Sequence, residues 1–163
     1  GIPMLFQGQE FLEDEWFRDT VPLDWDRAEA FRDIVRMVRD LVALRRNLNG
    51  TTAGLTGPHT QVNHLDDEAK TIAWLRATDT EATVVVVNAS AEAREIAIGL
   101  PDAGRWAIRF NSDAATYSAL FGDHPTLDVD AAENPLNDQP ASATVSVGPY
   151  TLVVLSPGEA GTQ

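Results

Sequence analysis

Cysteine is missing altogether from the 163 residues. That single absence excludes disulfides, thiolate metal sites and a cysteine nucleophile, and it suits a cytoplasmic protein. Basic residues are scarce: twelve Lys and Arg against 25 Asp and Glu give a net charge of −13. So acidic a surface repels phosphate backbones, so no nucleic acid is expected as a partner; a neutral substrate or another protein is. No apolar run approaches the roughly 18–20 residues of a bilayer span, so no membrane partner is expected, and within the sequence no basic segment precedes an apolar one. Glycine-rich phosphate loops, GxGxxG and Gly-x-Ser-x-Gly elbows are missing too, and Ser90, Ser112 and Ser118 belong to no nucleophile motif. Of the three histidines, His59 and His64 lie in a turn-rich stretch near Asp66 and Asp67 without helical ligand spacing, and His124 stands alone. They read as ordinary loop or strand residues, and no metal or cofactor is expected. No internal repeat occurs.

Hydrophobic residues make up 44% of the chain, ample for one domain, or for a small domain plus part of another. The first eleven residues, GIPMLFQGQEF, form an apolar run (Ile2, Met4, Leu5, Phe6) that ends in a small polar cluster. Such a run predicts a buried strand covered on both faces, with Pro3 near its start and Gly8 allowing a turn or close approach where the chain leaves the sheet. Its neighbours are not close in sequence. A loop from Leu12 to Trp25 follows, acidic and aromatic at once, with Glu13, Asp14, Glu15, Trp16, Phe17 and Trp25. Its rings either pin the loop to its own domain or offer faces that stack on the C–H faces of sugars.

The clearest helix spans Asp26 to Asn47. Asp26 and Glu29 have the spacing of a capping box, and Ala28, Phe31, Ile34, Val35, Val38, Leu41, Val42 and Leu44 recur at three- and four-residue steps to make one apolar face. Arg45 and Arg46 suit the negative end of the helix dipole, and Asn47 to Gly50 stops the helix. From Thr51 the texture changes to short β-rich runs between turn signals: Thr71–Ala77, Ala82–Asn88, Arg94–Ile98, Arg105–Phe110, Ala143–Val147 and Tyr150–Leu155, with Val62–Leu65 as a further edge strand. Their spacing predicts an antiparallel β-sandwich or barrel. Asn111 to Pro140 predicts a long, largely irregular excursion, and Gly148–Pro149 a final hairpin turn.

Paired carboxylates are the one chemistry the residues suggest. Glu10 with Glu13, Asp14 or Glu15 would be a pair of the kind that flanks a glycosidic bond, although clustered loop acids are ordinarily solvated.

GIPMLFQGQEF, PLDW (Pro22–Trp25) and the helix ending LVALRRNLNGTTAGLTG together resemble the last βα unit of the (β/α)8 barrel in the α-amylase superfamily, most of all in α-1,4-glucan branching enzymes and their relatives. VVVVN (Val84–Asn88), RWAIRFNSD (Arg105–Asp113) and VGPYTLVVLS (Val147–Ser156) are similar to the all-β domain that follows that barrel. The resemblance implies a mainly β chain: residues 1–50 as one strand and one long amphipathic helix of the barrel, and residues 51–163 as an antiparallel β-sandwich C-terminal domain. It implies an α-glucan such as glycogen as substrate of a longer parent and the upstream barrel of that parent as partner. The parent's catalytic carboxylates fall on strands absent from this sequence, so no residue here is expected to be catalytic and the chain alone is expected to be inactive. Gln9, Glu10 and Phe11 would point toward the glucan cleft and Trp16 would stack on a glucose ring, while Glu10 equally suits bracing neighbouring loops. Two other readings stand beside this one. A carbohydrate-binding module would use Trp74, Trp106, Tyr117 and Phe121, and a structural fragment would self-associate through its unburied helical stripe.

Overall fold

Period-two alternation in the second part of the chain becomes two antiparallel sheets. The computed structural model describes residues 4–158, and its strands are β1 (His59–Asp66), β2 (Thr71–Ala77), β3 (Ala82–Asn88), β4 (Arg94–Leu100), β5 (Gly104–Asn111), β6 (Val129–Ala131), β7 (Ala141–Val147) and β8 (Thr151–Pro157). The larger sheet has the order β1-β2-β3-β8-β5-β6 and the smaller pairs β4 with β7. β2 and β3 have the bounds read from the sequence, and the expected edge strand at 62–65 is the middle of β1. β6 is the piece of regular structure hidden in the 111–140 excursion.

The run Val84 to Val87 is apolar throughout because both faces of β3 are covered. Val84 and Val86 are fully buried against Ile96, Ile98, Val145 and Val147 of the smaller sheet, in one core with Trp106, Val153 and Leu155. Val85 turns the other way, into a second cluster with Leu44, Phe110, Tyr117 and Val154. Unlike the expected last hairpin, Gly148–Pro149 joins two sheets: β7 pairs with β4, whereas β8 lies between β3 and β5. The local turn signal is real. Which strands flank it depends on pairings with residues far away in sequence.

Two further expectations need correction. Met4–Phe6, the described part of the predicted opening strand, pairs with no strand; Gln7 (φ 23°) and Gly8 (φ 87°) turn the chain into a 3-10 turn over Gln9–Phe11. Residues 1–3 of that prediction lie outside the described residues. A strand needs a hydrogen-bonded neighbour, and no described strand reaches this one. The long helix is broken into α1 (Asp26–Ala30) and α2 (Arg32–Arg45) at Phe31, whose φ of −110° and ψ of 30° leave helical geometry. No capping box forms, since Asp24 Oδ1 accepts the Asp26 amide at 3.1 Å instead. At its far end α2 closes as the sequence predicts. Asn47 adopts a left-handed conformation (φ 53°), and the amides of Asn47 and Leu48 donate back to the carbonyls of Leu44 and Ala43. No helix among the described residues is long and apolar enough to cross a membrane.

The face α2 turns to the β-sheet is not its most apolar one. Met37 and Leu44 enter the second cluster, and Asp40 between them accepts a hydrogen bond from the Tyr117 hydroxyl at 2.8 Å. Arg36 Nη1 donates to Thr116 Oγ1 at 2.8 Å, so the 114–121 segment is clipped to the helix twice. The expected stripe keeps Leu41 and Val42 exposed. A linker joins helix to sheet: buried Thr52 donates its hydroxyl to the Leu44 carbonyl (2.8 Å) and its amide to Asn47 Oδ1 (2.8 Å). Arg45 reaches the Leu55 carbonyl and Arg76 the carbonyls of Leu55 and Gly57. Gly57 lies so close to β2 that a Cβ there would come within 1.9 Å of the Ala77 carbonyl oxygen.

Burial, reinforced by the Asp40 carboxylate, pushes the Tyr117 phenol up to about 12. Because the folded value lies above the unfolded one, this contact contributes its full stability below about pH 10 and loses it as pH rises toward about 12. Tyr117→Phe is expected to cost about 1 kcal/mol at neutral pH. It should also flatten the alkaline fall in stability, measured by denaturant unfolding across that range. An unchanged alkaline limb would show that another group titrates there.

Candidate functional site

The most structured candidate lies in the loop that precedes the helices. Gly8 needs its positive φ, and it has no room for a side chain, since a Cβ would meet Glu13 Cβ at 2.6 Å. Phe11 folds under the loop, 2% exposed, with its ring centroid 5.2 Å from that of Trp25. Glu13 closes the loop as a staple, accepting the amides of Glu15 (3.1 Å) and Asp24 (2.8 Å). Those two amides hold its carboxyl below the usual range. Arg27 fixes the same loop to α1 by donating to the Leu12 carbonyl and to Asp14 Oδ2 (3.0 Å), with its guanidinium 5.0 Å from the centre of the Phe31 ring.

These constraints hold open a cleft of about 450 Å³ lined by Phe6, Gln9, Glu15, Trp16, Phe17 and Arg18, among others. Phe6 and Phe17 meet edge to face at 5.4 Å, and Trp16 stands 86% exposed. Gln9 Oε1 accepts the Phe6 amide at 2.8 Å, which orients its side-chain amide. Of the four residues expected to contact substrate, Gln9 and Trp16 are brought together on this cleft. Half-buried Glu10 and buried Phe11 do not line it. The Glu10 pairing with loop acids is not assembled, because Glu13 is committed to backbone amides and Glu10 lies off the cleft. The cleft presents the rings of Phe6, Trp16 and Phe17 and the Gln9 amide beside the charged side chains of Glu15, Arg18 and Asp19. Glu13 and Arg27, which shape the loop, carried no signal in the sequence beyond their charge, since each of their hydrogen-bond partners but Glu15 lies more than ten residues away.

The rings expected of a carbohydrate-binding sheet are packed instead. Trp106 is 1% exposed with Nε1 donating to the Asp102 carbonyl, Tyr117 is buried, and Trp74 and Phe121 are half-buried against the second cluster. They form no exposed platform. His59 faces Asp79 at 3.5 Å and His64 Nε2 lies 2.9 Å from Thr71 Oγ1, so these two histidines diverge. A second open surface, about 600 Å³ and mostly apolar, lies between α2 and the larger sheet, lined by Leu5, Val38, Leu41, Val42, Trp74 and Leu152 among others.

Comparison with known proteins adds to this geometry. The family model described as "Alpha amylase, C-terminal all-beta domain" matches residues 62–158. A 1,4-alpha-glucan branching enzyme of Mycolicibacterium paratuberculosis is 32% identical over 164 residues, covering 96% of this chain and 22% of that one. That of Thermobifida fusca is 33% identical over 155 residues, covering 91% and 21%. The chain thus spans about a fifth of the length of the curated relatives it matches. Among solved structures, an alpha-amylase from H. orenii is similar with a TM-score of 0.49 and 18% identity, over 83% of this chain and 23% of that one.

Proposed function

Since the chain belongs to the family of the alpha-amylase C-terminal all-beta domain, we propose that it is the non-catalytic C-terminal part of an enzyme acting on α-glucan. The parent activity in this reading is 1,4-α-glucan branching by a retaining mechanism in the cytoplasm. One carboxylate forms the glycosyl-enzyme and a second serves as acid and then base, both supplied by upstream strands. Residues 1–50 stand as the last βα unit of the barrel and residues 51–163 as the β domain beside it. The observation that carries the reading is the extent of the match to the branching enzyme of Mycolicibacterium paratuberculosis: it takes in 96% of the chain, and so includes the helices that precede the family model's first residue.

The cleft loop is then a rim of the glucan site. Trp16 stacks on a sugar ring and Gln9 offers polar contacts, while Glu10, off the cleft, braces the neighbouring loop and Phe11 acts from beneath as its anchor. The exposed stripe of α2, with Leu41 and Val42, rests on the upstream barrel, which covers the apolar surface beside it. The test uses amylose, following iodine colour and new α-1,6 linkages. The chain alone is expected to give none. In the full-length parent, Trp16→Ala should raise KM roughly fivefold, the loss of about 1 kcal/mol of stacking, with kcat little changed. Turnover by the chain alone, or an unchanged KM in the variant, would overturn the non-catalytic assignment or the stacking assignment respectively.

A further inference from the structure

The turn that ends α2 holds a chemical liability that the sequence and the geometry single out together. The chain has seven asparagines: Asn47, Asn49, Asn63, Asn88, Asn111, Asn134 and Asn137. Loss of ammonia from an asparagine requires the amide nitrogen of the next residue to reach its side-chain carbonyl carbon, so the side chain must be free to move and the following residue must be small. Four of the seven are tied or buried. Asn47 accepts the Thr52 amide, Asn63 is 2% exposed and donates to the Gly99 carbonyl, Asn88 is fully buried, and Asn111 is held by the Asp113 amide and the His124 carbonyl. Asn134 precedes Pro135, which has no N–H to give up, and Asn137 precedes Asp138, whose side chain crowds the approach. Asn49 alone is followed by glycine. Both residues are exposed, no hydrogen bond engages the Asn49 side chain among the described residues, and nothing lies within 4 Å of where a Gly50 Cβ would be. The one restraint is the Gly50 amide, which donates to the Asn47 carbonyl at 3.1 Å in a turn open to water.

We propose that Asn49–Gly50 is a site of spontaneous modification, at which the side chain is deamidated and the backbone isomerised with water as the only co-reactant. The Gly50 amide nitrogen gives its proton to hydroxide and attacks Asn49 Cγ. The N–Cγ bond forms, the Cγ–Nδ2 bond breaks, and ammonia leaves. Water then opens the resulting five-membered imide at either carbonyl, leaving aspartate or isoaspartate at position 49. The position gives this change a consequence. The isoaspartyl linkage adds a methylene to the backbone inside the turn, so the Gly50-to-Asn47 bond is lost and Thr52, which ties the Leu44 carbonyl to the sheet, is displaced. Either product also adds a negative charge beside the negative end of α2. The joint between helix and β domain loosens as the protein ages.

The test is to incubate the chain at 37 °C over neutral to mildly alkaline pH, digest it with trypsin and fragment each asparagine-containing peptide to assign any mass change to a single residue, since the peptide after Arg46 holds Asn47, Asn49 and Asn63 together, with isoaspartyl methyltransferase labelling to reveal the isomer. The peptide that follows Arg46 is expected to gain the mass of an –NH2 to –OH exchange first, at a rate that climbs with hydroxide, and to accept methyl label. Asn49→Gln should remove both signals while leaving the fold intact by circular dichroism. Earlier conversion of any other asparagine, no label in the Asn49 peptide, or persistence of the label in Asn49→Gln would overturn the proposal.

Discussion

Trp106→Ala is expected to lower the unfolding free energy by about 3–5 kcal/mol, the largest loss available from one side chain here. The ring is 1% exposed and belongs to the core that joins the two sheets, with Ile98, Val153 and Leu155 in the same cluster. Its Nε1 also donates to the Asp102 carbonyl at 3.1 Å, which holds the turn before β5. Alanine removes the packing, opens a cavity that rigid strands on both sides cannot close, and leaves that carbonyl without its donor. Trp106→Phe keeps most of the volume and should lose clearly less. Denaturant unfolding separates the cases: the midpoint should fall with an unchanged slope, the mark of altered stability rather than altered compactness. A loss below about 1 kcal/mol would place the ring at the surface and reopen the sugar-binding reading of this strand.

The second large effect is expected from Asn88, a polar residue with no exposed surface. Its Nδ2 donates toward the carbonyls of Glu92 (2.7 Å), Gly148 (2.8 Å) and Val147 (3.2 Å), with two protons shared among three acceptors. Its Oδ1 accepts the amide and the hydroxyl of Ser90, at 3.0 and 2.7 Å. One side chain therefore ties the end of β3 to the segment where the chain leaves β7 for the other sheet. Asn88→Ala leaves buried carbonyls without donors and should cost about 2–4 kcal/mol. Asn88→Asp is the sharper test, because an ionised carboxylate would face carbonyl oxygens in place of the donors. Its carboxyl should titrate well above the usual range, so the variant is expected to be weakest at neutral pH and to regain stability as acid protonates it. An Asp variant as stable as the parent at neutral pH would remove this network from the account of the fold.

Both effects concern residues whose type is visible in the sequence and whose role is not. Trp106 in RWAIRF is legible as a strand residue among apolar neighbours, which already favours the core. Asn88 closes a valine run and looks like a turn former; its partners at Val147 and Gly148 lie some sixty positions on. The candidate site divides the same way. Gln9 was legible as part of the polar end of the opening run and Trp16 as a ring of the loop after it, but the sequence could not show that Phe11 folds under that loop or that Glu13 spends its carboxylate on two amides.

Local chemistry alone determined the bounds of β2 and β3, the Asn47 stop that ends α2, and the acidic surface. Alternation and side-chain volume act within a few residues, and they say which face of an element is wet. Tertiary structure decided what each face meets. Residues 4–6, apolar enough for a strand, pair with none because no neighbour offers an edge. β7 and β8, adjacent in sequence, enter different sheets, β7 pairing with β4 and β8 lying between β3 and β5. α2 places Met37 and Leu44 in the second cluster, where the Tyr117 hydroxyl from the 114–121 segment donates to Asp40, and leaves Leu41 exposed. Hydrogen-bond partners and apolar neighbours are chosen among all surfaces the whole chain presents, and no window of sequence contains that choice.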